Sequence, residues 1–383
     1  MTTNVTGISN TGNILLAKQI IDMSNDIALL NPSATPFISL LKQIKNMTKV
    51  AENKKFDWLE DDVKAVDDAI NMAGGALAAD TKLIVDTGAL FRVGDIVQNK
   101  RTHENMYVSV INPDGDNVNE LTFVRGHGEV SAAAINDNDG LKIIGNVNAE
   151  GSGTREIKST EPEDCYNYTQ IFKTPFGVTN TANATGVYGS GDELSQKRNK
   201  AGIEHLIDIG NSFYFGHRKE DAVKGNSMRG VFQFCTENNY AAGGTLTQAN
   251  FNNLFCKNAF LYGGDVKILF ADATLVSAID GWALGKLQVS ESAKAYGLRI
   301  TEYMSPFGVL NIVYDKVLNN SGYNGVILDI NSLKYRPLKG RDTKLETNIQ
   351  DNGEDMIKEQ YITECGLELR NPKKHAVITG VTG

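Results

Sequence analysis

Five histidines, four cysteines and several carboxylate clusters are the side chains in this 383-residue chain equipped for chemistry. His103, His127, His205, His217 and His375 are scattered, and no two stand at the helical spacing of a metal-binding pair. His103-Glu104 opens like a zinc-protease motif, but Tyr107 stands where the second histidine must be. Cys165, Cys235, Cys256 and Cys365 contain no C-x-x-C pair and read as reduced thiols of a cytosolic product. Asp57, Glu60, Asp61 and Asp62 could gather a divalent cation, yet a charge run of this kind reads first as a solvated face or partner contact. The turns at 113–116 and 137–140 resemble calcium loops without their full ligand set. Gly151-Ser152-Gly153 and Gly189-Ser190-Gly191 lack the lysine spacing of a phosphate loop, and there is no G-x-S-x-G elbow. We therefore expect no enzyme, with no catalytic residue, no cofactor and no metal site.

Composition narrows the class. With 41% hydrophobic and 22% charged residues the chain is ordinary globular material, long enough for two or three domains. A net charge of −8 argues against gripping nucleic-acid phosphates, though a container around nucleic acid needs no basic surface. No apolar run approaches the ~18 residues that cross a bilayer, and Met1–Ser9 has no signal-peptide pattern. The N-x-T triplets at Asn46 and Asn183 therefore read as coincidence.

The element that organises the rest is a long amphipathic helix expected over Ser190–Arg218. Ser190 and Glu193 have capping-box spacing. Leu194, Ile203, Leu206, Ile207, Gly210, Phe213 and Tyr214 make its apolar stripe, with Lys197, Arg198, Lys200, Glu204, His205 and Asp208 mainly on the other face. Ahead of it, residues 13–30 read as a second amphipathic helix ended by Asn31-Pro32, and Thr35-Pro36-Phe37 starts a short one with Thr35 as N-cap. Such an arm fits either a neighbouring molecule or its own core.

Phe56–Asp62 reads as a half-buried strand, and residues 76–148 carry five short strands between Asp/Asn/Gly turns, a small barrel or sandwich of their own. Tyr166–Phe172 reads as a strand, Gly225–Gly230 and Tyr240–Thr245 as loops, and Thr247–Tyr262 as a helix capped by Thr247. The apolar run 266–271, a helix at 273–282 and strands near 298–303, 308–314 and 326–330 imply an α/β layer. From Leu333 a basic run (Lys334, Arg336, Lys339, Arg341, Lys344) precedes an acidic one (Glu354, Asp355, Glu359, Glu364) and a strand-like Gly366–Pro372. These patches could pair between copies, within one chain, or not at all.

Taken in order, these parts resemble the major capsid proteins of tailed phages with the Hong Kong 97-type fold, in the branch whose E-loop carries an inserted β-domain. The segments behind the resemblance are Asn31–Phe37, Phe56–Asp62, Phe91–Asp95, Val124–Gly128, Glu150-Gly151, Thr179–Ala182 and Gly366–Pro372. The resemblance implies an α+β fold with an N-terminal arm at 1–50 and an extended E-loop at 51–175 including the β-domain at about 76–148. It further implies a peripheral (P) domain at 176–239 with spine helix 190–218, an axial (A) domain at 240–330, and a return to the P-domain at 331–383. It implies self-assembly through pentamers and hexamers into the icosahedral head of a bacteriophage, made in the host cytoplasm. The packaged double-stranded DNA is held without specific recognition and no membrane is involved; scaffolding, portal and decoration proteins are further partners of such shells. An encapsulin-like compartment or another virion (tail) protein is the alternative.

Overall fold

The computed structural model describes residues 35–44, 47–184, 193–286 and 301–382. The expected arm helix at 13–30, its Asn31-Pro32 end, the Ser190 cap and residues 298–300 lie outside them. The chain divides into two compact units, Met1–Trp58 with Asp164–Gly383, and Leu59–Glu163. Strands β1 (Lys55–Glu60) and β8 (Glu163–Tyr168) pair as a two-stranded sheet where the chain passes from one unit to the other and back.

The smaller unit is a six-stranded antiparallel barrel. Its strands are β2 (Asp67–Ala69), β3 (Lys82–Ile84), β4 (Asp95–Asn99), β5 (Asn105–Ile111), β6 (Glu120–Val124) and β7 (Gly140–Asn146), in the order β2-β7-β4-β5-β6-β3. An antiparallel bridge between Ile70 and Val85 closes the circuit, with Asn71 N–H donating to the Ile84 carbonyl at 2.9 Å and Asp86 N–H to that of Ala69 at 3.0 Å. Closure removes the exposed edges that an open sheet of short strands would carry. Alternation along β5 and β6 turns Met106, Val108, Leu121 and Phe123 inward onto Leu83, Phe91, Val97 and Leu141. Each such side chain contributes roughly 1.5–3 kcal/mol by leaving water.

In the larger unit, α1 (Pro36–Gln43) precedes the long helix α2 (Glu193–Phe215), and α3 (Ala273–Lys286) follows. Proline stands at the first helical position of α1, but the Thr35 hydroxyl makes no cap hydrogen bond, contrary to expectation; Ser39 Oγ instead donates to the Thr35 carbonyl at 3.0 Å. At 1.5 Å per residue α2 spans about 35 Å. It stops at Phe215, three residues short of the expected end, because backbone meets backbone there. A Cβ on Gly216 would lie 2.4 Å from the Ser212 carbonyl oxygen, and one on Gly230 would lie 2.7 Å from both the Gly216 nitrogen and the Tyr214 oxygen.

The buried face of α2 is Ala201, Gly202, His205, Leu206, Ile209, Gly210, Phe213 and Tyr214, so Ile203 and Ile207 sit at its margin. His205, expected on the polar face, is fully buried. Its ring nitrogens meet the hydroxyls of Thr174 and Thr363, which satisfy an imidazole where an aliphatic wall would not.

This face lies against a ribbon of β9 (Gln170–Thr179) and β17 (Met356–Leu369), joined by β15 (Leu333–Pro337) and β16 (Lys344–Glu346) on the far side of β17. The expected strand at 166–172 is two strands, β8 and β9, parted at Thr169, whose N–H bonds the Lys54 carbonyl at 2.8 Å. Phe37 of α1 stacks on Tyr214 (5.0 Å between centroids) and meets Phe270 edge-on at 5.1 Å, joining α1, α2 and a second sheet in one core.

That second sheet is mixed, in the order β10 (Asn239–Thr245), β18 (Ala376–Thr382), β14 (Tyr323–Leu328), β11 (Val266–Ala271), β13 (Gly308–Tyr314), β12 (Thr301–Ser305). One face (Ile268, Phe270, Val313, Val326, Leu328, Val377) packs on the α2 core. The other (Leu269, Leu310, Ile312, Ile327, Ile378) packs on Phe251, Phe255, Leu275 and Ile279. Two covered faces explain the continuous apolar run of β11. Tyr240–Thr245, expected as a loop, is strand β10: Gly243 and Gly244 form a bulge at positive φ, and the strand pairs parallel with β18 on both sides of it. The segment Thr247–Tyr262 is helical from 248 to 259 with a π-turn at Phe251–Cys256, and the Thr247 side chain caps it by accepting from Asn250 N–H. The chain is a mixed α+β protein. Its C-terminal strand, β18, lies in this second sheet and not beside β15–β17.

Candidate assembly surfaces

Several of the residues that could have done chemistry are held in structural roles. His103 occupies a left-handed turn (φ 58°), and Glu104 is fully buried. Its Oε1 accepts from Arg125 Nε at 2.8 Å and Gly126 N–H at 2.9 Å; its Oε2 accepts from Arg125 Nη2 at 2.9 Å and Ala133 N–H at 3.1 Å. Burial pushes this carboxyl up, and the guanidinium and two amides together bring it below the ordinary range. Arg125 also donates to the carbonyls of Leu77, Asp80 and Ala133, so one ion pair ties three barrel loops. Asp139, in one of the calcium-like turns, is held down to about 2, first by Arg101; its oxygens also accept from Asn99 and from Asn136 N–H. In the other turn Asp114 pairs with Lys82. Asp57 pairs with Lys55, while Asp61 and Asp62 are exposed. Among the described residues no three His, Cys, Asp or Glu side chains are arranged to hold a metal.

His127 lies against the Tyr107 ring and His217 is exposed. His375 is buried: its Nδ1 accepts from Asp329 N–H at 3.1 Å and its Nε2 faces the Arg370 carbonyl at 3.2 Å, with burial pulling its pKa to about 4. The cysteines are free thiols, and burial raises Cys235, Cys256 and Cys365 to about 12, so they are inert.

Between α2 and the ribbon runs a connected polar chain. His205 Nδ1 meets Thr174 Oγ1 at 2.9 Å and its Nε2 meets Thr363 Oγ1 at 2.7 Å. Thr363 donates to Thr343 Oγ1 at 3.0 Å, which also accepts from Lys42 Nζ at 3.1 Å, and Lys42 lies 3.5 Å from Asp342. With Thr363 donating onward, the neutral ring carries its proton on Nε2. Burial, then repulsion from Lys42, pulls His205 to about 4. About two turns toward the N-terminus of the helix, Arg198 makes a bidentate pair with Glu359, both bonds 2.6 Å. The spine is thus pinned to the ribbon by a charge clamp and a histidine relay. Arg198 and His205 both looked like solvent-facing residues in the sequence.

Two further staples had no sequence signal beyond one polar residue in an apolar stretch. Asn167 donates to the carbonyls of Leu367 and Arg229 and accepts from Arg229 N–H. Lys267, on the otherwise apolar β11, donates to the carbonyls of Ala259, Tyr262 and Lys374 at 2.6–2.8 Å. The basic and acidic runs near the C-terminus meet within the chain at Arg341–Glu364, while Arg336 pairs with Glu368 further along β17.

An open depression of about 390 Å³ at the ribbon's end is lined by Phe176, Val178 and Met356, with Lys197 and Lys358 as its charged groups. Charge is unevenly divided: Leu59–Glu163 holds 19 acidic and nine basic residues, a net −10, which leaves the rest of the −8 chain at +2. Leu59, Val63 and Ile157 are 68%, 87% and 87% exposed.

The family described as SU10 major capsid protein matches residues 1–382. A major capsid protein of Pseudomonas phage PaMx41 is 26% identical over 339 residues, 80% of each chain. Among solved structures, one from Mycobacterium phage Bobi covers 88% of each chain at 8% identity and a TM-score of 0.46. The holo-SrpI encapsulin complex of Synechococcus elongatus PCC 7942 covers 58% of this chain and 78% of its own at 8% identity and a TM-score of 0.40.

Proposed function

This chain belongs to the SU10 major capsid protein family, and from that premise we propose that its copies close through pentamers and hexamers into an icosahedral phage head around double-stranded DNA. The observation that carries the reading is the family match along nearly the whole chain. We read α2 and the β9–β17 ribbon as the spine and sheet of a Hong Kong 97-type P-domain, spanning 176–239 and the return at 331–383. The sheet and helices of 240–330 correspond to the A-domain, with β18 contributed from the C-terminus. The excursion 51–175 corresponds to an E-loop whose inserted β-domain is the barrel, and 1–50 to the N-terminal arm. Neighbouring copies are the principal partners, with scaffolding, portal and decoration proteins acting on the same shell. The DNA is enclosed and not read, in keeping with the net charge of −8.

The subunit needs only modest pairwise contacts, because each copy makes many at once. Stiffness is what the spine supplies: a helix of 23 residues clamped along a 14-residue strand transmits the position of one edge to the other. Electron microscopy with light scattering on the full chain expressed alone tests the reading. Closed shells, or rings of five and six, are expected. A monodisperse monomer that stays monomeric when a phage scaffold and portal are co-expressed refutes it.

A further inference from the structure

Two Asn-Gly pairs occur in the chain, Asn324-Gly325 and Asn352-Gly353, and the structure holds them in opposite ways. Asparagine is thermolabile, most of all before glycine, which has no Cβ to hinder its own backbone nitrogen from reaching the asparagine Cγ. The reaction needs that nitrogen free and the backbone on either side able to turn. Asn324 is locked. Its Nδ2 donates to Asp272 Oδ2 at 3.1 Å and to the Val381 carbonyl at 3.3 Å, and its Oδ1 accepts from Val381 N–H at 2.8 Å. Gly325 is buried in β14, paired with Ala271 of β11 and Ile378 of β18. This peptide turns only if the sheet opens.

Asn352 stands in the connection 347–355 between β16 and β17, where residues 351–355 are all exposed. Glu354 N–H donates to the Asp351 carbonyl at 3.1 Å, closing a turn with Asn352 and Gly353 at its centre, and Gly353 takes the positive φ of 99° that a type II turn asks of its third residue. Neither the Asn352 side chain nor the Gly353 N–H has a hydrogen-bond partner among the described residues. A Cβ on Gly353 would meet nothing within 4 Å. The flanks are nevertheless fixed: Ile349 N–H donates to the Lys358 carbonyl at 2.9 Å, and Asn180 donates to Asp355 from its N–H (3.3 Å) and its Nδ2 (2.5 Å). The reacting pair is therefore free while the strands on either side of it hold still.

We propose that Asn352 is a site of spontaneous modification in the folded protein, converted to aspartate and isoaspartate through a cyclic imide, while Asn324 is protected. The Gly353 nitrogen gives its proton to solvent base and bonds to the Asn352 Cγ; the Cγ–Nδ2 bond breaks and ammonia leaves. Water then opens the imide at one of its two carbonyls, giving aspartate or, with the chain rerouted through Cβ, isoaspartate. Water is the only co-reactant and nothing is oxidised or reduced. The product adds a carboxylate, ionised at neutral pH, to Asp351, Glu354 and Asp355, on the chain that leads directly into Met356 of the ribbon's depression. Isoaspartate also lengthens the turn backbone by one atom. The end of the ribbon thereby changes with the age of the subunit, whatever the subunit assembles into.

Peptide mapping by mass spectrometry tests this on the full chain, incubated warm at mildly alkaline pH and sampled over days. The tryptic peptide 345–358, cut after Lys344 and Lys358, is expected to gain one mass unit at Asn352 and to split into an isoaspartate and an aspartate form. In the native protein Asn352 is expected to react about tenfold or more faster than Asn324, since Asn324 reacts only through opening of its sheet. In urea, where both pairs are unfolded, the two rates are expected to fall within about threefold of each other, because the same glycine follows each. Asn352→Gln is expected to abolish the gain, as its longer side chain cannot close the five-membered ring. Equal native rates at the two sites refute the inference, as does a gain that persists in Asn352→Gln. Aspartate appearing without isoaspartate means direct hydrolysis and refutes the imide route. None of these failures bears on shell formation, which is read separately by microscopy.

Discussion

Replacing His205 by glutamine removes an ionisation that folding forbids, and the size of the effect follows from the site. The ring is fully buried, both nitrogens are taken by threonine hydroxyls, and Lys42 stands on the far side of Thr343. Its pKa falls from 6.5 to about 4, burial being the larger cause. A depressed folded pKa means that the unfolded chain binds the proton more tightly, so stability is present above pH 6.5 and is lost as pH falls toward 4. The full shift is worth about 3.4 kcal/mol, and between pH 7.5 and pH 5 about 2 kcal/mol of it is lost. His375, also near 4, adds a loss of the same sign. Asp315, raised to about 6 by burial, works oppositely and regains part of the loss on acidification.

His205→Gln isolates one term of this sum. At pH 7.5 the variant is expected to be less stable by about 1–2 kcal/mol, the usual cost of disturbed buried hydrogen bonds. At pH 5 that deficit is expected to shrink by about 2 kcal/mol, since glutamine has no proton to gain. Both tryptophans, Trp58 and Trp282, lie in the unit that holds His205, so their fluorescence during urea unfolding of unassembled subunits reports on it alone. Parallel stability-against-pH curves for wild type and variant would refute the argument, because they would mean that the buried ring is not kept neutral by its site.

In the barrel, Arg125→Met leaves Glu104 buried without its cation and is expected to cost about 3–5 kcal/mol, read as accelerated proteolysis within 59–163. Adding Glu104→Gln is expected to return part of that loss, whereas a double variant no better than the single one would show that the pair is not the source. Gly230→Ala puts a Cβ within 2.7–2.9 Å of three backbone atoms of Phe213, Tyr214 and Gly216. It is expected to destabilise the end of α2 by about 1–3 kcal/mol or more, measured as a lower Tm, while Gly225→Ala, with nothing within 4 Å, loses only what its positive φ demands.

Local patterns were legible wherever one face meets water and the other a core. The alternation of Met106 to Val110 and of Leu121 to Val124 announced the barrel strands, and the apolar run at 266–271 announced a strand covered on both faces. Three and four-residue spacing announced α2 and located its stripe to within one position. Thr247 as a cap is equally local, since the side chain bonds a backbone N–H three residues on.

What the sequence by itself determined is therefore the inventory of elements and the class of protein. The absence of any spaced catalytic set and the order of parts along the whole chain were enough to point to a phage capsid protein, the family that the chain matches over residues 1–382. What only the tertiary structure decided is which polar residues go inside. Arg198 meets Glu359 across 161 residues, His205 meets Thr363 across 158, and Lys267 reaches the Lys374 carbonyl across 107. Barrel closure at Ile70–Val85, the strand character of Tyr240–Thr245 and the place of β18 are of the same kind. The physical reason is common to all of them. Periodicity records how a segment divides between water and core, but a buried charge or an edge strand is stable only through a partner distant in the chain, and that partner exists only once the chain has folded.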